Sequence, residues 1–273
     1  MLKRKIAEIL RKINLLQAAD NIIFIGEYLK NRKANLDFKK RHPHFLTPPP
    51  HLAYDAYNHV NWENYQRTGL KHAELISHLI RKHLSESEIR ICEWGCGPAR
   101  VLRHLKTIDG LNNVELIGTD YNKESINWCK KHINKILFIN NNLEPPLPLE
   151  VKDCDCIYAI SIFTHLSEKM HHAWIEELFG RLKPNGILIF TTHGDLLKHE
   201  LLARDRRKYE LGLLVTNEKT KEGKKHFAAY HPPDFVRKNL LKNYQLLEHI
   251  SDPSGYLLMH EVWIAKKSSS NNS

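Results

Sequence analysis

Ile91-Cys92-Glu93-Trp94-Gly95-Cys96-Gly97-Pro98-Ala99-Arg100, followed by Thr119-Asp120-Tyr121-Asn122, decides how this chain reads. An apolar strand delivers the Glu93 carboxylate into a glycine turn; a helix and a second strand follow, and that strand ends in Asp120. Gly95 and Gly97 let the backbone approach a ligand where a Cβ would collide. A carboxylate at the end of the second strand is placed to accept from both hydroxyls of a ribose. The pattern therefore predicts a site for a nucleotide-type cofactor.

Working outward, strands and helices alternate. Strands are expected at 89–94, 113–119, 136–139, 157–161 and 186–193, with helices at 68–84, 98–107, 122–132 and 167–182. Repeated strand-helix units of this length imply a parallel sheet covered by helices on both faces. A helix at 233–241 and strands near 244–250 and 258–265 then predict an antiparallel hairpin at the carboxyl terminus. The fold class is α/β, a Rossmann-like, doubly wound, seven-stranded sheet, mostly parallel, with a helical arm before it.

The arm is distinct. Residues 1–41 hold eleven Lys or Arg against Glu8, Asp20, Glu27 and Asp37, most of the chain's formal charge of +10. Ile6, Ile9, Leu10, Ile13 and Leu16 recur at helical spacing and predict an amphipathic helix over 2–18, with a second helix around 22–30. His42 to Pro50 reads as an extended linker. The expected organisation is an arm and linker over 1–50, a catalytic domain over 51–267 with a substrate-side insertion at 195–231, and a polar tail over 268–273.

Cys92, Cys96, Cys129, Cys154 and Cys156 are odd in number and lack zinc-ligand spacing. They predict reduced thiols and no metal site. Charges at Glu8, Arg11 and Lys12 interrupt the one candidate secretory core, so a cytoplasmic location is expected. The basic amphipathic arm would allow peripheral contact with the inner membrane surface.

The chain resembles class I S-adenosylmethionine-dependent methyltransferases over roughly residues 62–265. The resemblance rests on Glu93-x-Gly95-x-Gly97, Asp120, the Asn140 to Leu143 stretch, Leu147-Pro148, Asp155 to Tyr158, Ser161 to Leu166 and Arg181 to Gly186. It implies S-adenosyl-L-methionine as cofactor. Glu93, Gly95, Gly97 and Arg100 would form the loop that holds its amino-acid part; Asp120 would take the ribose, and Tyr121 would pack on adenine. Asn141, Asn142 and Leu143 would border the adenine edge, Ser161 would lie beside the sulfonium, and Tyr65 and Gly69 near the methionine end. Two departures stand out: Ala99 occupies the position of a frequent third glycine, and Asn stands where many relatives carry Asp after the third strand.

Where the acceptor is a hydroxyl, a neutral histidine suits the base. His193, after the fifth strand, is the first candidate and His165, after the fourth, the second; His231 is a third that shapes the acceptor pocket. No Asn-Pro-Pro-Tyr-like or Pro-Cys motif follows the fourth strand, and the excess charge lies in the arm, which disfavours nucleic acid. Further motifs, including Trp62, Tyr65 and Thr192-His193-Gly194, are similar to bacterial methyltransferases of polysaccharide and glycan assembly, implying O-methylation of a sugar, glycan or other small-molecule acceptor. The competing readings are a nucleic-acid methyltransferase, a non-catalytic cofactor-binding scaffold, and an NAD-dependent oxidoreductase. The last would need glycine where Arg100 stands. The oligomeric state is left open.

Overall fold

A computed structural model describes residues 16–85, 88–108, 111, 113–216 and 220–268. Seven strands form one sheet: β1 (Ile89–Trp94), β2 (Val114–Asp120), β3 (Leu137–Asn140), β4 (Cys154–Ala159), β5 (Leu182–Thr192), β8 (Tyr244–Ile250) and β9 (Glu261–Lys267). Their order is β3-β2-β1-β4-β5-β9-β8. The first five run parallel; β9 inserts antiparallel between β5 and β8. The carboxyl-terminal pair is thus the antiparallel hairpin the sequence predicts, and β9, its second strand, is the one that joins the sheet. A separate small hairpin pairs β6 (Val215–Thr216) with β7 (Ala229–Tyr230).

Side chains alternate across each central strand, which divides the core into two layers. Ile91, Cys156, Tyr158, Ile187 and Ile189 face one layer, where Ile76, Leu79 and Ile80 of α3 (Trp62–His83) and Ile126 of α5 (Lys123–His132) pack. Cys92, Trp94, Ile157, Leu188, Phe190 and Trp263 face the other, against Trp174, Ile175 and Leu178 of α6 (Glu168–Arg181). Side-chain caps start these helices: Asn61 accepts from the Asn64 amide, Asn122 from Glu124 and Ser125, and Ser167 from Met170. All five cysteines are buried and unpaired, and burial holds their thiols well above the usual range, so they are core residues.

Several boundaries differ from expectation. The helix expected at 98–107 shrinks to α4 (Leu102–Leu105), because residues 95–101 are spent on a turn wrapped around the end of β1. β5 begins at Leu182, before the Pro184-Asn185-Gly186 turn, and β4 begins at Cys154. The helix expected around 22–30 is a continuous α1 (Leu16–Arg41); the helix expected at 2–18 lies almost wholly outside the described residues, as do residues 269–273 of the tail. α1 docks on the domain: Phe38 is buried with Ala53, Trp62 and Tyr65, and Asn35 bonds the Val60 carbonyl and the Trp62 amide. A coil over 42–49 then leads into α2 (Pro50–Tyr57), which lies at the carboxyl edge of the sheet's parallel strands.

Candidate active site

Asp120 organises the glycine loop. One carboxylate oxygen accepts from the Gly97 amide at 2.7 Å and the other from the Asn122 amide at 2.7 Å. The amides of Gly95 and Cys96 both donate to the Thr119 carbonyl, folding the loop back over the end of β2. Gly95 (φ +78°) and Gly97 (φ +50°) take left-handed backbone, and so does Ala99 (φ +54°), where a Cβ is strained. Burial pushes Asp120 up to about 6, partly offset by its two amide donors. Glu93 beneath the loop is pushed up by burial to about 8, although its carboxylate accepts from the Leu102 amide at 3.1 Å.

A two-lobed cavity opens at the carboxyl ends of β1, β2 and β4. One lobe, about 410 Å³, is walled by Trp94, Leu143, Ile162, Leu166 and Trp174, with Asn141 and Asn142 at its rim. The Oδ1 of Asn141 has no hydrogen-bond partner, although the residue is buried. The second lobe, about 640 Å³, is lined by α2 through Asp55, Ala56 and Tyr57 and by Gly97, Asn122 and Ser161. Gly95, Asp120, Tyr121, Ile162, His165 and Gly223 border both lobes.

A clamp roofs this cavity. Lys225 lies 2.8 Å from Asp20 of α1 and 3.5 Å above the Tyr54 ring, while Tyr54 donates to Asp20. Tyr121 donates to the Gly223 carbonyl, the Gly223 amide donates to His165, and Glu222 accepts from the Ser167 amide.

The expected site residues fall into two groups. Gly95, Gly97, Asp120, Tyr121, Asn141, Asn142, Leu143, Ser161 and His165 line the cavity together. Tyr65, Gly69, Arg100, Glu93 and His193 do not border it. Tyr65, expected near the methionine end, is fully buried behind the loop and donates to the Pro98 carbonyl. Gly69 is the point where α3 touches the loop: a Cβ there would lie 2.3 Å from the Arg100 carbonyl oxygen. Arg100 turns to α3, donating to Thr68 and to His72, and stacks over Tyr57. These residues shape the loop from behind. Leu52, Asp55, Ala56, Gly223 and Lys225 also line it without having been named as site residues; Gly223 and Lys225 lie in the expected substrate-side insertion, and the docking of α2 and of the 220–227 segment brings all five there.

The histidines also sort by position. His165 lines both lobes; its Nδ1 meets the Phe227 carbonyl, so that nitrogen carries the proton and Nε2 is the basic one, and burial lowers its pKa. His193 lies one step away, between the Ala229 carbonyl and His260, and His260 in turn contacts Ser161. His231 is fully buried and bonded to His171 at 2.7 Å, a core pair removed from the cavity.

Residues 91–186 match the profile of a methyltransferase domain family. Malonyl-[acyl-carrier protein] O-methyltransferase of Bacillus anthracis is 28% identical over 143 residues, 52% of this chain, and the match spans about half (52%) of that relative. Among solved structures, magnesium protoporphyrin IX methyltransferase of Synechocystis PCC 6803, with bound S-adenosylhomocysteine, superposes with a TM-score of 0.53 at 12% identity, covering 86% of this chain and 96% of that one. The N-methyltransferase NodS of Bradyrhizobium japonicum WM9, also with S-adenosylhomocysteine, gives 0.51 at 16% identity over 80% and 97%. At such identities the likeness is one of fold, and it joins the glycine loop, Asp120 and the family match. Over residues 91–186 the chain thus matches a methyltransferase domain, set in a sheet with the fold of these methyltransferases.

Proposed function

We propose that residues 51–267 act as a methyltransferase on oxygen of a small hydroxylated acceptor, of which a sugar or glycan is the favoured kind. The observation that carries the donor half is the cavity itself. Its smaller lobe has apolar walls for a planar base and one orphaned buried acceptor, Asn141 Oδ1, that an exocyclic amino group would satisfy. Asp120 has each oxygen committed to only one amide, which leaves acceptor capacity for a ribose. S-adenosylmethionine fits this donor set, and when bound it supplies an activated methyl group on a sulfonium. Asp55, Asp120 and Tyr57 surround the larger lobe, an environment suited to the cationic end of such a ligand. The sugar or glycan preference rests on the sequence resemblance, and a malonyl conjugate, named for the Bacillus relative, is the competing acceptor.

Calorimetric titration with S-adenosylmethionine, S-adenosylhomocysteine and NAD tests the donor half. Binding of the first two without the third is expected, weakened about 10- to 100-fold in Asp120→Ala, the scale of a charged hydrogen bond lost. Binding of NAD instead would return the site to an oxidoreductase, and tight binding by Asp120→Ala would remove the role given to that carboxylate.

A further inference from the structure

A hydrogen-bonded line, with Thr191 Oγ1 a longer contact of His260 Nδ1 at 3.5 Å, leaves the cavity through Ser161. Its Oγ lies 2.9 Å from Nδ1 of His260, Nε2 of His260 lies 3.1 Å from Nε2 of His193, and Nδ1 of His193 lies 3.1 Å from the Ala229 carbonyl. Bond chemistry fixes every proton on this line when the imidazoles are neutral. A carbonyl only accepts, so His193 carries its proton on Nδ1 and accepts at Nε2. His260 must then donate from Nε2, which makes its Nδ1 an acceptor, and the Ser161 hydroxyl must donate to it. Every proton points away from the cavity, and the Ser161 oxygen is left with its lone pairs free where it borders the larger lobe.

The serine is held for this. Its φ of +63° is left-handed for a residue with a side chain, and both of its backbone groups are tied: the amide donates to Thr191 Oγ1 and the carbonyl accepts from Thr164 Oγ1. His260 reaches the line because β9 pairs with β5 in the register Thr192↔Glu261.

We infer that Ser161, His260 and His193 form a proton relay that receives the proton released by the methyl acceptor, and that the acceptor is accordingly a hydroxyl or amine and not a carboxylate. The inference rests on the methyl-transfer reading of the cavity. Methyl transfer forms the bond from the acceptor heteroatom to carbon, breaks the carbon–sulfur bond with its electron pair left on sulfur, and frees one proton. Ser161 Oγ takes that proton as its own passes to His260 Nδ1, and the Nε2 proton of His260 passes to His193. His193 ends as the imidazolium, its Nδ1–H still on the Ala229 carbonyl, so charge is conserved. A carboxylate acceptor has no proton to give and would leave the line without work. His260 does not keep the proton: burial pushes it down to about 3. Ser161 is the catalytic group; His260 and His193 act through it.

The test is the imidazole tautomer pattern of the full-length protein labelled with 15N-histidine, read from long-range proton–nitrogen spectra near neutral pH. His193 as the Nδ1–H tautomer and His260 as the Nε2–H tautomer are expected; His260 as Nδ1–H would reverse the line and overturn the relay. This readout needs no acceptor or cofactor. Turnover of S-adenosylmethionine with methyl glucoside, phenol, ethanolamine and malonate then tests the acceptor class. Ser161→Ala and His260→Gln should lose 10²- to 10⁴-fold in kcat on whichever protic probe turns over, with the KM for S-adenosylmethionine unchanged. Malonate as the one productive probe, or activity lost in His165→Gln but kept in His260→Gln, would overturn it. Failure of the unsubstituted protein to bind S-adenosylmethionine in calorimetry would sink the donor site instead, which keeps the two readings separable.

Discussion

A methyl group added at Gly95 would lie 2.0 Å from Ile162 Cδ1 and 2.5 Å from its Cγ1, on a backbone with φ +78°. Ile162 borders both lobes, so it cannot yield without reshaping the cavity. Gly95→Ala is expected to cost about 2–4 kcal/mol, from overpacking and left-handed strain together, and to weaken S-adenosylmethionine at least tenfold. A melting curve and titration matching the unsubstituted protein would refute this. Glu93 offers a pH test. Its folded value, about 8, lies above the 4.5 of a free glutamate, so the fold favours the protonated form. The associated stability is full below about 4.5 and is lost as pH rises through 8. Glu93→Gln keeps a carbonyl for the Leu102 amide and should flatten stability between pH 5 and 8; denaturant midpoints across that range would show it, and an unchanged slope would assign the burial penalty elsewhere. Ligand affinity takes the opposite sign: a cationic donor favours ionised Asp120 and Glu93, so its binding should tighten from pH 5.5 to 8.5. Gly95, Gly97 and Asp120 were legible because a close backbone approach and a strand-end acid leave a local trace in sequence. Ala99 sits at φ +54° with a side chain, a strain the sequence shows only as a missing glycine.

At the scale of elements, strands β1 to β5 were visible because buried parallel strands read as apolar runs between turn signals. The insertion of β9 between β5 and β8 was not, since adjacency in a sheet depends on packing that a hairpin signal does not encode. That insertion is what carries His260 to Ser161, and its lack of local trace is why the first-choice base, His193, was placed at the cavity when it stands behind another histidine. Tyr65 and Gly69, expected near the methionine end, instead meet the glycine loop through Pro98 and Arg100, because α3 packs on the loop from the side away from the cavity. The roof over 220–227 is likewise tertiary. Lys225 and Asp20 are both largely buried, so Lys225→Ala strips a partner from an acid that, among the described residues, keeps Tyr54 and His226. A stability loss of about 1–3 kcal/mol and S-adenosylhomocysteine dissociation about tenfold faster, an effect worth roughly 1.4 kcal/mol, are expected in stopped-flow measurements. An unaltered dissociation rate would show that the roof does not retain the ligand.

For the molecule as a whole, the question is what faces the outer side of α1. Its inner side is taken up by Asp20, Phe24, Asn31, Asn35 and Phe38 in contacts with the domain. Its outer side leaves Ile22 (70% exposed), Ile25 (55%), Leu29 (60%) and Leu36 (54%) in solvent, at spacings that place them along one stripe. Lys30, Arg32, Lys33, Lys39, Lys40 and Arg41 surround that stripe, against Glu27 and Asp37 among the helix's acids. A second copy would bring the same cations face to face, which opposes self-association through this surface. An anionic bilayer surface offers both the apolar boundary and the opposite charge. No described helix is long and apolar enough to cross a membrane. Deleting the arm would confound the answer, because Asn35 and Phe38 are part of the packed domain. The paired substitution Ile22→Glu and Ile25→Glu touches only exposed positions and leaves those contacts in place. Co-sedimentation with vesicles containing phosphatidylglycerol should be strong for the unsubstituted chain, fall several-fold in the double variant, and weaken as salt is raised. Equal binding by both proteins would remove α1 as the contact, whereas loss of binding with retained S-adenosylmethionine affinity would establish that the arm holds a working site at a lipid surface.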